Sequence, residues 1–281
     1  MCCQKFSVAM AVYGKDDPRH FQVAVDSILN QTRPPDEVVL VVDGPVPPDL
    51  DEVITGYEAM PQFCVIRLPR NVGHGEARRT GLSHCTHELV ALMDADDISH
   101  PDRFEKQLAV MEKDSSLSIV GGNIAEFIGT PDNIVSYRRV EEHNDDIHKD
   151  MRSRCPMNQM TVLFRRVDVE RAGGYLDFYC EEDYYLWARM ALLGQRFANL
   201  PDVLVDVRVG ADMYRRRGGL RYFKSEVRLQ KFLLQNHLIG RGRYAINVIK
   251  RLIVQVMLPN RLRGYIFQKF ARATHATKEQ N

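Results

Sequence analysis

None of the six cysteines, at positions 2, 3, 64, 85, 155 and 180, forms a C-x-x-C pair. Neither a zinc ribbon nor a disulfide framework is therefore expected. Adjacent Cys2 and Cys3 are candidates for lipidation, with buried or idle thiols the plainer reading. Long hydrophobic runs are missing too. The longest, Leu252 to Leu258, is broken by Gln255 and is too short to span a bilayer. A first strand starting near Phe6 leaves no room for a signal peptide, so a cytoplasmic protein is expected. No G-x-G-x-x-G or P-loop announces a dinucleotide enzyme or a kinase. There are no internal repeats and no low-complexity segment.

What is present describes a globular chain of 281 residues with 44% hydrophobic content and a net charge of only +1. That charge is unevenly placed. Residues 211–281 hold 16 Lys+Arg against 3 Asp+Glu, a local charge of +13, which leaves −12 on the first 210 residues. An acidic body with a basic tail suits contact with an anionic surface, either nucleic acid or a phospholipid leaflet. The tail carries no recognised nucleic-acid reading motif and its aromatics are scattered, so no nucleic-acid partner is expected.

Residues 1–210 alternate strand and helix signals, the pattern of a mostly parallel sheet flanked by helices. Strands are expected at Phe6–Tyr13, Glu37–Val42, Phe63–Leu68, Leu89–Met93 and Ser118–Phe127. Their continuous apolar character suits burial on both faces. Helices are expected at Arg19–Gln31, Asp49–Ala59, Gly75–Cys85 and from Pro101 to Lys113. The interval 129–160 is the least readable, and a short helix with a loop facing a substrate is expected there. A strand at Thr161–Arg165, a helix at Asp168–Tyr175 with a glycine stop, and a helix from Glu182 to Leu193 follow. Strands at Arg196–Asn199 and Val203–Val207 close this unit, and the chain from Arg215 onward reads as helical and basic.

Met93-Asp94-Ala95-Asp96-Asp97 places three carboxylates within four residues, directly after the apolar run Leu89–Leu92. Like charges at a strand exit repel, and a divalent cation among the oxygens relieves the repulsion. Mg²⁺ or Mn²⁺ suits such hard ligands and shares substrate phosphates. The alternative is a solvated acidic turn that caps the helix near Pro101. Asp43, in Val-Val-Asp-Gly, either accepts hydrogen bonds from a nucleobase or ribose or makes an Asx turn before Gly44. In Arg70–Gly81 a glycine loop leads into a helix bearing Arg78 and Arg79. One of these is a solvated charge, and the other can grip a diphosphate. Glu181-Glu182-Asp183 opens a helix whose apolar face includes Tyr184, Leu186 and Trp187. The helix dipole stabilises acids there, and one of them placed beside a substrate would act as a general base.

Ser7–Tyr13, Val41-Val42-Asp43-Gly44, Asn71-Val72-Gly73 through Ala77-Arg78, Asp94-Ala95-Asp96-Asp97 and Glu182-Asp183 stand in the order and spacing of family 2 glycosyltransferases. The resemblance covers roughly residues 5–210. Its weaker continuation through Met213–Gly219 resembles the amylovoran-biosynthesis branch of bacterial polysaccharide transferases. This resemblance implies a GT-A fold catalytic domain over 1–210, a basic helical C-terminal extension over 211–281, and inverting transfer from a nucleotide-diphospho-sugar, here a UDP-sugar. The implied acceptor is a saccharide, lipid-linked, in surface polysaccharide biosynthesis. By the same resemblance Val12, Tyr13, Asp43, Arg78, Asp94 and Ala95 bind the donor, and Asp96 with Asp94 holds Mn²⁺ or Mg²⁺. Asp97 supports that corner, and Asp183 is the base, with Glu182 the neighbouring candidate. Departures exist: Ala11 replaces the usual proline, Pro45 ends the second motif, and Gln159 stands where many relatives carry histidine. The Gln-x-x-Arg-Trp motif of processive synthases is absent, which favours addition of a single sugar.

Three readings compete at this point. Besides the transferase, a nucleotidyltransferase would also use an α/β sheet with metal carboxylates, although Tyr13-Gly14-Lys15-Asp16-Asp17 is a poor substitute for its glycine-rich loop. A non-enzymatic protein binding anionic surfaces is the third. In the tail, Ile246, Ile249 and Leu252-Ile253 alternate with Arg243, Lys250 and Arg251 at helical spacing. Such a helix either lies in a lipid interface, peripheral on the inner face of the cell membrane, or packs on the catalytic domain.

Overall fold

The structure, a computed structural model, describes residues 4–210 and 219–257. Cys2, Cys3 and the Met213–Gly218 part of the resemblance lie outside them.

One nine-stranded sheet organises the body. Its strands are β1 (Phe6–Tyr13), β2 (Glu37–Asp43), β3 (Phe63–Arg67), β4 (Leu89–Met93), β5 (Ile98–Ser99), β6 (Leu117–Phe127), β7 (Ile134–Arg138), β8 (Leu163–Arg165) and β9 (Arg196–Arg208). The order is β3-β2-β1-β4-β8-β6-β9-β5, with β7 paired to β6. β3, β2, β1 and β4 pair in parallel, and β8 runs against both β4 and β6. β6 and β9 consequently point the same way as β4, and the sheet is mostly parallel as expected.

Strand alternation explains why both faces are buried. Val8, Met10, Val12, Val38, Leu40 and Val42 join one core with Phe21, Ile28, Ile54 and Phe104. These last come from helices α1 (Pro18–Leu29), α2 (Pro48–Glu58) and α4 (Arg103–Lys113). Ala9, Val39, Val90 and Leu92 join the opposite core with Leu82 and the fully buried Trp187. Leu82 lies on α3 (His74–His84) and Trp187 on α7 (Glu182–Leu192), while the short α5 (Asn144–Asp150) and α6 (Arg166–Arg171) complete this side. The tail joins here as well. Leu229 and Leu233 of α8 (Leu220–Gln235) belong to the second core, and α9 (Arg241–Leu252) runs on into a π-helical turn at Ile253–Met257.

Three expectations need correction. The two final strands are one, because the register shifts around Gly122–Ile124 of β6 absorb Pro201. There Asn123 Nδ2 donates to the Pro201 carbonyl at 2.7 Å, so a residue that reads as a turn signal sits inside a strand. The interval 129–160 holds strand β7 as well as the expected short helix. The acidic corner is followed by the two-residue strand β5 before α4 begins, so the turn does not cap the helix directly.

β5 fixes that corner to β9. Ile98 and Ser99 pair with Asp206 and Val205, and His100 Nε2 lies 3.0 Å from Asp206 Oδ1. The Asp206 hydrogen bond raises the His100 pKa above its ordinary value, against the opposing effect of burial. A raised folded-state pKa stabilises below the unfolded value, about 6.5 for histidine, and that stability is lost as pH rises through the folded value. His100→Gln should therefore cost about 0.5–1 kcal/mol near pH 5.5, this partly exposed pair being screened by solvent, and a few tenths near pH 9. Urea denaturation at the two pH values measures the difference.

Candidate active site

Parallel registration brings strand tips together. Tyr13 pairs with Asp43, and Met10 pairs with Met93, so the ends of β1, β2 and β4 open on one edge of the sheet. Ligands in open α/β sheets bind at such carboxyl ends. A cavity of about 160 Å³ occupies this edge, walled by Ala11, Tyr13, His74, Arg78, Asp94 and Asp96, with Ala95 beside them.

The loop after β3 is held open by Asp43. Its Oδ1 accepts from the Val72 N–H at 2.7 Å and its Oδ2 from the Gly73 N–H at 3.0 Å, while Asn71 Nδ2 donates to its carbonyl. Gly44 follows at φ +89, and a Cβ there would lie 2.5 Å from the Asn71 nitrogen. Only glycine permits that approach. Asp43 thus fixes the loop that launches α3, and α3 in turn aims Arg78 inward. Val12 sits differently from Tyr13. Alternation turns its side chain into the core, leaving only its backbone for a ligand.

Arg78 is the hub. Its Nη2 donates to Asp94 Oδ1 at 2.7 Å, and its Nη1 donates to Gln159 Oε1 at 3.0 Å and Glu182 Oε1 at 3.2 Å. Burial opposes its charge, but Asp94 and Glu182 outweigh that and raise its pKa. Asp94 shows the reciprocal effect: burial would raise it, and Arg78 with His74 holds it below the ordinary value. Glu182 goes the other way, raised by burial and by Asp183 beyond what Arg78 offsets. Arg79, by contrast, is exposed and pairs with Glu76 at 2.6 Å. Of the two arginines, 79 is the solvated one.

The rest of the acidic corner divides its work. Asp96 is exposed at the cavity wall. Asp97 is buried, and its Oδ1 accepts from the Arg208 N–H at 2.9 Å, tying the corner to β9. Behind it lies Arg103, fully buried, whose Nη2 donates to the Leu92 carbonyl at 2.8 Å. Burial lowers its pKa to about 9, and Asp94 and Asp97 keep it from falling further.

Across Arg78 stand the acids of α7. Asp183 is half-buried. Its Oδ1 accepts from the Tyr184 N–H at 2.6 Å, and the Cys155 thiol reaches its Oδ2 at 3.6 Å. Glu181 turns to the tail, its pKa pushed well up by burial and by Glu226. Sequence reading did not single out His74, Cys155 or Tyr175, whose hydroxyl receives Gln159 Nε2 at 3.4 Å. Gln159, noted as a departure, lies inside the site.

Among the described residues, no group of three or more His, Cys, Asp or Glu is arranged to hold a metal alone. Two carboxylates facing an open cavity instead fit a hard cation that keeps water and substrate phosphate in its shell. Asp96 and Asp94 are the residues that would hold Mg²⁺ or Mn²⁺.

Residues 7–169, more than half of the chain, match Glycosyl transferase family 2. The chain belongs to that family. Among similar proteins are the amylovoran biosynthesis glycosyltransferase AmsE of Erwinia amylovora, 38% identical over 94% of this chain and 98% of its own length, and the Escherichia coli UDP-Gal:alpha-D-GlcNAc-diphosphoundecaprenol beta-1,3-galactosyltransferase, 36% identical over 95% and 97%. The mannosyltransferase PcManGT of Pyrobaculum calidifontis, solved with GDP-Man and Mn²⁺, superposes with a TM-score of 0.62 at 18% identity, covering 99% of this chain and 76% of that one. That likeness is one of fold, and the fold is the GT-A fold expected from the motifs.

Arg78→Gln would leave Asp94 and Glu182 without their shared cation. Removing one member of a buried pair costs about 3–5 kcal/mol, and the Asp94 side chain, 25% exposed, places this loss at the low end. Arg79→Gln should change stability by less than about 0.5 kcal/mol. Parallel urea titrations of the two variants at neutral pH test the contrast.

Proposed function

We propose that this family 2 enzyme transfers one sugar, with inversion, from a UDP-sugar to a hydroxyl of a saccharide carried on a lipid diphosphate. The observation that carries this reading is Arg78, which joins the Asp94 corner to the acids of α7 through one guanidinium. Leaving-group and acceptor chemistry thereby come within one side chain's reach. The similarity to the galactosyltransferase acting on a diphosphoundecaprenol acceptor, and to the amylovoran enzyme, supports a polysaccharide pathway with a lipid-borne acceptor. In this reading residues 1–210 are the catalytic domain and 211–281 an extension, and the protein works in the cytoplasm at the inner face of the membrane.

The cavity takes the nucleoside diphosphate. Tyr13 and the Val12 backbone border the nucleoside, with Asp43 holding the loop against it, and Asp94 and Ala95 line the path to the phosphates. Asp96 with Asp94 would hold Mn²⁺ or Mg²⁺, which would supply positive charge to the diphosphate. Arg78 adds its own charge where negative charge develops as the anomeric C–O bond breaks and its electron pair passes to the β-phosphate. Asp183 takes the acceptor's proton as the hydroxyl oxygen bonds to the anomeric carbon from the opposite face. The resemblance favours Asp183 for this role, and Glu182 is instead paired with the Arg78 guanidinium. Cys155 and the Tyr184 N–H orient it.

Asp183→Asn should lower kcat by about 10²–10⁴-fold, the usual contribution of a general base, with UDP affinity changed little. Asp96→Ala should lose both turnover and Mn²⁺-dependent UDP binding. Assays of transfer from UDP-sugars, with calorimetry of UDP in Mn²⁺, read both, and full turnover in the two variants would end the assignment.

A further inference from the structure

Helix α9 is built inside out. Its fully buried positions are polar: Asn247 and, in the π-helical turn that follows, Gln255 are only 3% and 4% exposed, while half-buried Tyr244 packs on the second core. Asn247 Nδ2 donates to Gln230 Oε1 of α8 at 2.8 Å and to the Arg152 carbonyl at 2.9 Å. Arg251 pairs with buried Glu226 of α8 and donates from Nη2 to the Ser153 carbonyl at 3.1 Å. These bonds fix the helix rotation. The opposite face is therefore committed to the outside, and it is apolar: Ile246, Ile249, Leu252, Ile253 and Met257 are exposed by 37–68%. A surface helix that answers only to water has the reverse arrangement.

The surroundings say what covers this face. Arg241, Arg243 and Lys250 flank it on α9, and the exposed side of α8 is a stripe of Arg221, Lys224, Arg228 and Lys231. Between 219 and 257 the only acid is Glu226, which is buried and held by Arg251. A second copy joined face to face through α9 would oppose cations to cations around the contact. An anionic phospholipid leaflet offers phosphates to the basic rim and acyl chains to the isoleucines in one surface.

We propose that α8 and α9 dock the enzyme on an anionic phospholipid surface, with Ile246, Ile249, Ile253 and Met257 inserted below the headgroups. This deepens the lipid-borne acceptor reading and rests on it for its purpose. The segment that α9 grips at Arg152 and Ser153 continues to Cys155, whose thiol touches Asp183. Docking through α9 thus brings the base to the leaflet that carries the acceptor.

Sedimentation of the full chain with vesicles tests docking without any donor present. Wild type should bind vesicles containing about one third phosphatidylglycerol at least about tenfold more tightly than pure phosphatidylcholine, and high salt should weaken the binding. Ile249→Glu with Ile253→Glu, and separately Lys224→Glu with Lys231→Glu, should each weaken it at least about tenfold. These positions are exposed, so melting temperature and transfer to a water-soluble acceptor should match wild type. Equal binding by the variants, or no binding by wild type, overturns the docking. So does a wild-type dimer in solution that the isoleucine variant dissociates, since a second copy would then cover the face. Vesicle binding without any sugar transfer would instead sink the transferase assignment and leave the docking standing.

Discussion

A guanidinium taken out of water is costly unless acceptors and opposite charge meet it, and Arg78 finds three acceptors on three separate elements. Asp94 belongs to the turn after β4, Gln159 to the 3-10 turn Gln159–Thr161, and Glu182 to the first turn of α7. None of these segments is adjacent in sequence. Their acids would repel one another if the arginine were absent, so its charge sets the spacing of the site as much as the sheet does. The balance is also unequal. Asp94 and Glu182 bear on Arg78, Asp94 and Asp97 bear on the deeper Arg103, and Asp96 and Asp183 add like charge beside Asp97 and Glu182.

What lets Arg78 reach all three is a chain of backbone commitments starting at Asp43. Two loop N–H groups converge on its carboxylate, and Gly44 lets the Arg70–Asn71 backbone pass at a distance no side chain would allow. The loop then hands over to α3, whose buried positions are small: Ala77 and Gly81 beside Leu82. Small residues let α3 lie close to β1 and β2, and that closeness brings a long side chain to the far side of the strand tips. Rigidity is supplied by the sheet and reach by the arginine.

Much of this was legible in the sequence, for reasons that differ by element. β1, β2 and β4 are continuous apolar runs, and only strands buried on both faces keep such runs, so their tips could be placed closely. The acidic corner and the α7 acids were legible because charges at element ends stand out. β7 and the unbroken β9 were not, since an edge strand of mixed polarity and a proline in a bulge both imitate loops. Spacing alone could not rank Arg78 over Arg79. Adjacent helical residues point about 100° apart, but which direction is inward depends on the whole helix's placement. Gln159, Tyr175 and Cys155 were silent as chemistry because neutral side chains acquire a role only from what faces them.

The same ambiguity governs the tail. A hydrophobic stripe read along α9 defines two faces and says nothing about which one the protein keeps. Burial of Asn247 and Gln255 decides it, because each buried amide must be held by particular partners, whereas isoleucine burial is non-directional and could have been satisfied on either side. Polar residues therefore orient this helix, and apart from Tyr244, which packs on the second core, its large apolar side chains are left mostly to the exterior. The charge division of the sequence follows the same geometry. The acidic body carries the Arg78 site, and the described part of the tail, α8 and α9, carries the exposed cations and isoleucines. The Arg152–Cys155 segment is the short physical link between α9 and Asp183.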